Sequence, residues 1–147
     1  MNASGWTNRC PKNPGAAHKG QGAPIGLDKL AGFWRVRIGA LPNEVFQVAY
    51  LDSGYRLMRD GVETLEEGTI DRAAVYPRRV IEAALRRGAA ALVLAHNHPN
   101  GGATLSEQDK ILTPVIVLAA ETVGMKIVDH LIVTSSDAFS FRKADLL

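Results

Sequence analysis

The sequence predicts an α/β domain built in layers, with helices laid on a mixed sheet. Three observations carry this. Apolar residues recur at helical spacing in three separate stretches, strand-like runs lie between them, and one run, AAALVLA, is apolar at every residue, as a strand covered on both faces is. At 147 residues the chain has the size of one domain.

The elements follow in order. Residues 1–24 are rich in Gly, Pro, Asn and Lys, hold Trp6 as their one aromatic residue, and are expected to form a disordered tail ahead of a folded domain over residues 25–147. From Ile25 to Ile38, Leu27, Leu30, Phe33 and Trp34 mark a short amphipathic helix. EVFQVAYLD, Glu44 to Asp52, reads as a strand, Ser53-Gly54 as a turn, and YRLMRDGV with the residues after it as the returning strand of a hairpin. Pro77 opens a second helix, with Val80, Ile81, Ala84 and Leu85 as its buried stripe and Gly88 as its stop. After AAALVLA, Ser106 to about Val123 reads as a third helix, in which Pro114 is expected to force a kink or an early end to the first turn. KIVDHLIV, Lys126 to Val133, is a further strand.

Composition narrows the function. Apolar residues make up 46% and charged residues 22%, an ordinary globular balance. Lys and Arg outnumber Asp and Glu by 17 to 15, and the resulting charge of +2 is too small to point to nucleic acid. Cys10 is the lone cysteine, which excludes a disulfide framework and a thiolate metal cluster and fits a reducing cytoplasm. No apolar run approaches the roughly 18 residues of a membrane helix, and the first residues lack the layout of a secretory signal. A cytoplasmic protein with no membrane partner is expected.

The chemistry concentrates in LVLAHNHPNGGATLSEQDK, Leu92 to Lys110. Side chains two apart on an extended chain point the same way, so His96 and His98 can offer ring nitrogens to one point past the strand end. Pro99 to Gly102 turns the chain back, and Ser106 to Asp109 starts the next helix beside that end. Ser106 with Asp109 is in its own right a capping box. With the two histidines, Asp109 is also a candidate third ligand, and two His and one Asp would leave a tetrahedral Zn²⁺ with an open position. A zinc deaminase would need cysteine ligands that the sequence lacks. The tripeptide HNH is likewise no HNH nuclease, whose residues are dispersed over a ββα motif.

His96-x-His98 followed by Ser106-x-x-Asp109 resembles the JAMM signature of MPN/JAB1 metalloprotease domains. PNEVFQVAYLD, EEGTIDRAAVYPRRVIEAAL, ALVLAHNHPNGG and IVDHLIV resemble the RadC branch of that superfamily, from about Leu27 to Leu147. The resemblance implies a cytidine-deaminase-like (JAB1/MPN) α/β fold holding Zn²⁺ on His96, His98 and Asp109, and hydrolysis of a protein or peptide amide. It also implies a catalytic glutamate on an earlier strand, which by position is Glu44; Glu63, Glu66 and Glu67 are its competitors. The resemblance likewise implies that Ser106 hydrogen-bonds the oxyanion. The loop departs from the family pattern at Asn100 and Leu105, and the helical domain that precedes this one in longer members is expected to be missing.

Two other groups stand out. His130 in IVDHLIV is expected to be a buried, hydrogen-bonded structural histidine, with support of the metal site as the alternative. Arg72, Arg78, Arg79, Arg86 and Arg87 surround the second helix and read as a solvated face partly offset by Glu82. The competing reading is a DNA-associated accessory module with structural or vestigial zinc. Neither the substrate nor the oligomeric state is set by the sequence, and His18, in the tail, carries no argument.

Overall fold

The computed structural model describes residues 22–68, 75–99 and 101–147. Within them the order is α1 (Leu27–Arg37), β1 (Val45–Leu51), β2 (Leu57–Glu67), α2 (Pro77–Arg87), β3 (Ala91–Asn97), α3 (Glu107–Thr122), β4 (Lys126–Val133) and β5 (Ala138–Ser140). Trp6, Cys10, His18, Arg72 and Asn100 lie outside the described residues.

The strands form one mixed sheet in the order β2-β1-β3-β4-β5. Only β3 and β4 are parallel, which their crossover through α3 requires; the other neighbours are antiparallel. Every residue of β1 and of β3 is buried, as an apolar run in the middle of a covered sheet should be. Alternation then sorts the side chains. Val45, Ala49, Leu51, Ala91, Val93 and Ala95 face α1 and pack with Leu30 and Trp34, while Phe46, Val48, Tyr50, Leu92 and Leu94 face α2 and α3 and pack with Val80, Ala84 and Ile116.

The helices keep to their sequence signals with two corrections. In α2 the buried stripe is Val80, Ala83 and Ala84, whereas Leu85 is 55% exposed. Leu85 lies about 140° around the helix from Val80, beyond the face that meets the sheet. Gly88 ends α2 in the left-handed conformation at φ 67°, where its missing Cβ removes the strain. In α3, Pro114 does not end the first turn: the helix runs unbroken from Glu107 to Thr122. Pro114 and Lys110, four residues earlier, are both exposed, so the carbonyl deprived of its donor lies on the side that water reaches. The sequence reading missed β5, which has three residues.

Close approach at one glycine sets the entry to β1. A Cβ on Gly39 would stand 2.3 Å from the Arg35 carbonyl oxygen and 2.6 Å from that of Thr134, so only glycine lets the chain leave α1 against the end of β4. No helix among the described residues is long and apolar enough to cross a membrane.

Candidate metal centre

The site lies where the start of β1 runs beside the end of β3. They run antiparallel with Phe46 opposite His96, so the same register carried two residues further sets Glu44, just before β1, against His98, just after β3. His96 and His98 share a face: their rings are 4.8 Å apart and their Nε2 atoms 3.0 Å apart.

The third group comes from α3. Ser106 is its N-cap, accepting the Asp109 N–H at 3.1 Å on Oγ, while Asp109 Oδ2 accepts the Ser106 N–H at 3.0 Å. The same carboxylate reaches the histidines, with Oδ1 3.1 Å from His96 Nε2 and Oδ2 3.4 Å from His98 Nε2. Capping and metal-ligand geometry are therefore compatible in one residue. The cap also locks the rotamer that aims Asp109 at the two rings.

Glu44, His96 and His98 form a group that could hold a metal ion, their ligand atoms lying within 4.8 Å of one another. His96 and His98 taken with Asp109 instead also have separations that suit a metal shell. A tetrahedral shell with metal–nitrogen bonds of about 2.0–2.1 Å has edges of about 3.3 Å. The separations among the two Nε2 atoms and the Asp109 oxygens, 3.0, 3.1 and 3.4 Å, are of that size. Two ring nitrogens aimed at each other beside a carboxylate need a proton or a cation between them.

Charge follows the same lines. Burial alone would raise the Asp109 carboxyl, but the hydrogen bonds from His96 and His98, with that of Ser106, hold it well below the usual carboxylate range. His98 is raised by its hydrogen bond to Asp109, against burial and with help from the charges of Asp109 and Glu44. His130 is held well below its ordinary value by complete burial, with His96 adding to the effect.

Supporting residues flank the centre on both faces. His130 Nε2 lies 2.8 Å from His96 Nδ1, and His130 Nδ1 lies 2.7 Å from Thr113 Oγ1, so this buried histidine is both structural and tied to the site. On the opposite face Asn97 is fully buried. Its Oδ1 accepts the Val45 N–H at 2.7 Å and its Nδ2 donates to the Asn43 carbonyl at 2.9 Å, so it grips the backbone on either side of Glu44. The Gly68 N–H donates to the Glu44 carbonyl at 2.8 Å. A cavity of about 330 Å³ opens over Glu44, His96, His98, Ser106 and Asp109, with Phe46, Val75, Leu105 and Leu112 as its apolar wall.

The competing acids are engaged elsewhere or exposed. Glu63 accepts the Tyr50 hydroxyl at 2.7 Å and pairs with Arg87 at 3.3 Å, Glu66 pairs with Arg79, and Glu67 is exposed. These two arginines of α2 tie the helix to β2, and Arg87, 4.5 Å from the Tyr50 ring centroid, also reaches β1.

The family model of the RadC-like JAB domain matches residues 27–146. The chain belongs to this family. Among the described residues, the five-stranded mixed sheet with three helices is consistent with the JAB/MPN fold. The chain is 47% identical over 114 residues to a UPF0758 protein of Aromatoleum aromaticum, a match covering 77% of this chain and 50% of that protein. Over 115 residues it is 42% identical to a UPF0758 protein of Polaromonas, covering 78% and 50%. One from Actinobacillus pleuropneumoniae is 46% identical over 101 residues, covering 69% and 45%. The chain thus spans about half the length of the curated relatives it matches.

Asn97 and Thr113 were not anticipated from the sequence. For Asn97 a signal existed: a polar residue between two residues of one face must point to the other, into a layer that is mostly apolar and where it needs partners.

Proposed function

We propose that this RadC-like domain is a zinc-dependent hydrolase of the metallopeptidase or isopeptidase type, acting on an amide of a protein or peptide. One observation carries the reading: two imidazole Nε2 atoms and one carboxylate converge at tetrahedral-edge separations beneath an open cavity, with Glu44 beside them. His96, His98 and Asp109 would hold the ion, nitrogen and oxygen donors of the kind that suit Zn²⁺, and three protein ligands leave one position open. When bound, the ion supplies Lewis acidity, polarising a carbonyl and lowering the pKa of a coordinated water toward about 7.

The chain's own residues do the rest. Glu44, half-buried at the mouth of the site, takes the proton of the attacking water and returns it to the leaving amine. Asn97 and Gly68 hold its backbone, so the carboxylate works from a fixed base. Ser106 Oγ already accepts the Asp109 N–H, which leaves its hydroxyl proton to donate to the oxyanion. Phe46, Leu105 and Leu112 line the cavity with apolar surface, which strengthens these interactions by thinning the water around them.

Metal analysis of the purified protein, together with mass spectrometry of a mixed peptide digest incubated with it, tests the proposal. His96→Ala should lose zinc. Glu44→Gln should keep zinc at wild-type stoichiometry while chelator-sensitive cleavage falls by about 10²-fold or more. Full zinc occupancy without His96, or undiminished cleavage without the Glu44 carboxylate, overturns it.

A further inference from the structure

Behind His96 lies a chain of three side chains: His96 Nδ1 to His130 Nε2 at 2.8 Å, and His130 Nδ1 to Thr113 Oγ1 at 2.7 Å. Heavy-atom positions allow its protons to run in either direction. In one, His96 carries its proton on Nε2, facing Asp109, and accepts at Nδ1 from His130. In the other, His96 donates from Nδ1 and leaves the Nε2 lone pair to the site. The total charge is the same in both.

We propose that His130 and Thr113 are positioning residues that hold His96 in its metal-binding tautomer. The inference rests on the zinc reading and deepens it. With a metal on His96 Nε2, the ring proton must sit on Nδ1, and the atom it meets must then be an unprotonated His130 Nε2. The His130 proton is thereby forced to Nδ1, where Thr113 Oγ1 accepts it.

The surroundings hold His130 in one orientation. It is fully buried, Phe141 stacks on it at 4.8 Å and 10°, and Phe46 meets it edge-on at 5.9 Å. Thr113 is fully buried as well and stands on α3 one turn after Asp109, so one helix carries both a ligand and the far end of the chain. Metal-ligating histidines usually donate to a carboxylate, a carbonyl or water. A neutral imidazole in that place orients His96 without the added negative charge of a carboxylate, which leaves a bound cation more electrophilic.

The test uses the full chain loaded with zinc. Long-range ¹H–¹⁵N spectra of the histidine rings should show His96 protonated on Nδ1 and His130 protonated on Nδ1 only. Zinc affinity, read by competition with a chromophoric chelator, should fall about 10–100-fold in His130→Phe, which keeps a planar ring and removes the acceptor. His130→Gln, whose amide oxygen can accept from His96, should recover most of it, and Thr113→Val should weaken binding several-fold.

A proton on His130 Nε2 in the zinc-loaded protein overturns the relay while the zinc reading stands. Zinc affinity within threefold of wild type in a folded His130→Phe protein does the same. Should that variant fail to fold, the wild-type spectra and Thr113→Val decide alone. A wild-type chain that takes up no zinc overturns both proposals.

Discussion

The two faces of the central sheet carry polar groups in different ways. On the α1 face, the polar side chains of the sheet pair donor with acceptor: Trp34 Nε1 donates to Gln47 Oε1 at 3.0 Å, Gln47 Nε2 donates to Thr64 at 2.8 Å, and Asn97 is bonded to backbone on both sides of Glu44. On the face covered by α2 and α3, groups of like kind are pressed together, with two imidazole nitrogens at 3.0 Å and a carboxylate against both. A fold selected for stability alone pairs a donor with an acceptor. Where ligand atoms converge instead, the group could hold a metal ion, and the difference places the candidate site on one face.

The sharpest way to break this contrast is to remove a residue from each face. Asp109→Ala should abolish zinc binding and cleavage together, and should also cost about 1 kcal/mol of stability through the lost cap, measured by chelator competition and chemical denaturation. Trp34→Ala on the other face should cost about 3–5 kcal/mol, because it empties a fully buried site and leaves Gln47 short of a partner, while the folded fraction still binds zinc one to one. If Trp34→Ala also stripped the metal from folded protein, the faces would not be separable.

Legibility in the sequence follows the same division. The strands β1, β3 and β4 were plain because apolar runs bounded by turns leave few alternatives, and His96, His98 and Asp109 were plain because a strand end and a helix start bring fixed spacings together. Glu44 lies 52 residues before His96 and could be placed only by resemblance; the antiparallel register that sets it beside His98 is a tertiary fact. The Thr113–His130 link joins a helix to a strand, and no local pattern announces such a contact. Leu85 was misjudged because a helical stripe read from spacing alone does not say where the sheet ends. The early helix end considered at Pro114 did not occur, because the cost of a proline depends on whether water can reach the carbonyl it strands.

Asn97 is the residue on which the two faces meet, since it points to the α1 side yet serves the site on the other. Asn97→Ala removes a fully buried amide and orphans the Val45 N–H, a loss of about 2–3 kcal/mol in denaturation. With its backbone grip gone, Glu44 should be misplaced, so cleavage should fall by about 10²-fold with zinc retained. Wild-type cleavage by a destabilised Asn97→Ala protein would show that the grip supports the fold and nothing more.

The smallest effect separates the faces most cleanly, because one substitution can be made on each. Thr64→Val removes the hydroxyl that accepts from Gln47 Nε2 at a position already exposed, so water can replace the lost partner and the cost should be about 0.5–1 kcal/mol. Thr113→Val changes the same atoms in a fully buried position, where no water can substitute and the ring behind His96 loses its acceptor. Zinc affinity should therefore be unchanged in Thr64→Val and reduced several-fold in Thr113→Val, both read by the same chelator competition. Equal affinities in the two variants would mean that the polar chain behind His96 is support of the ordinary kind found under α1.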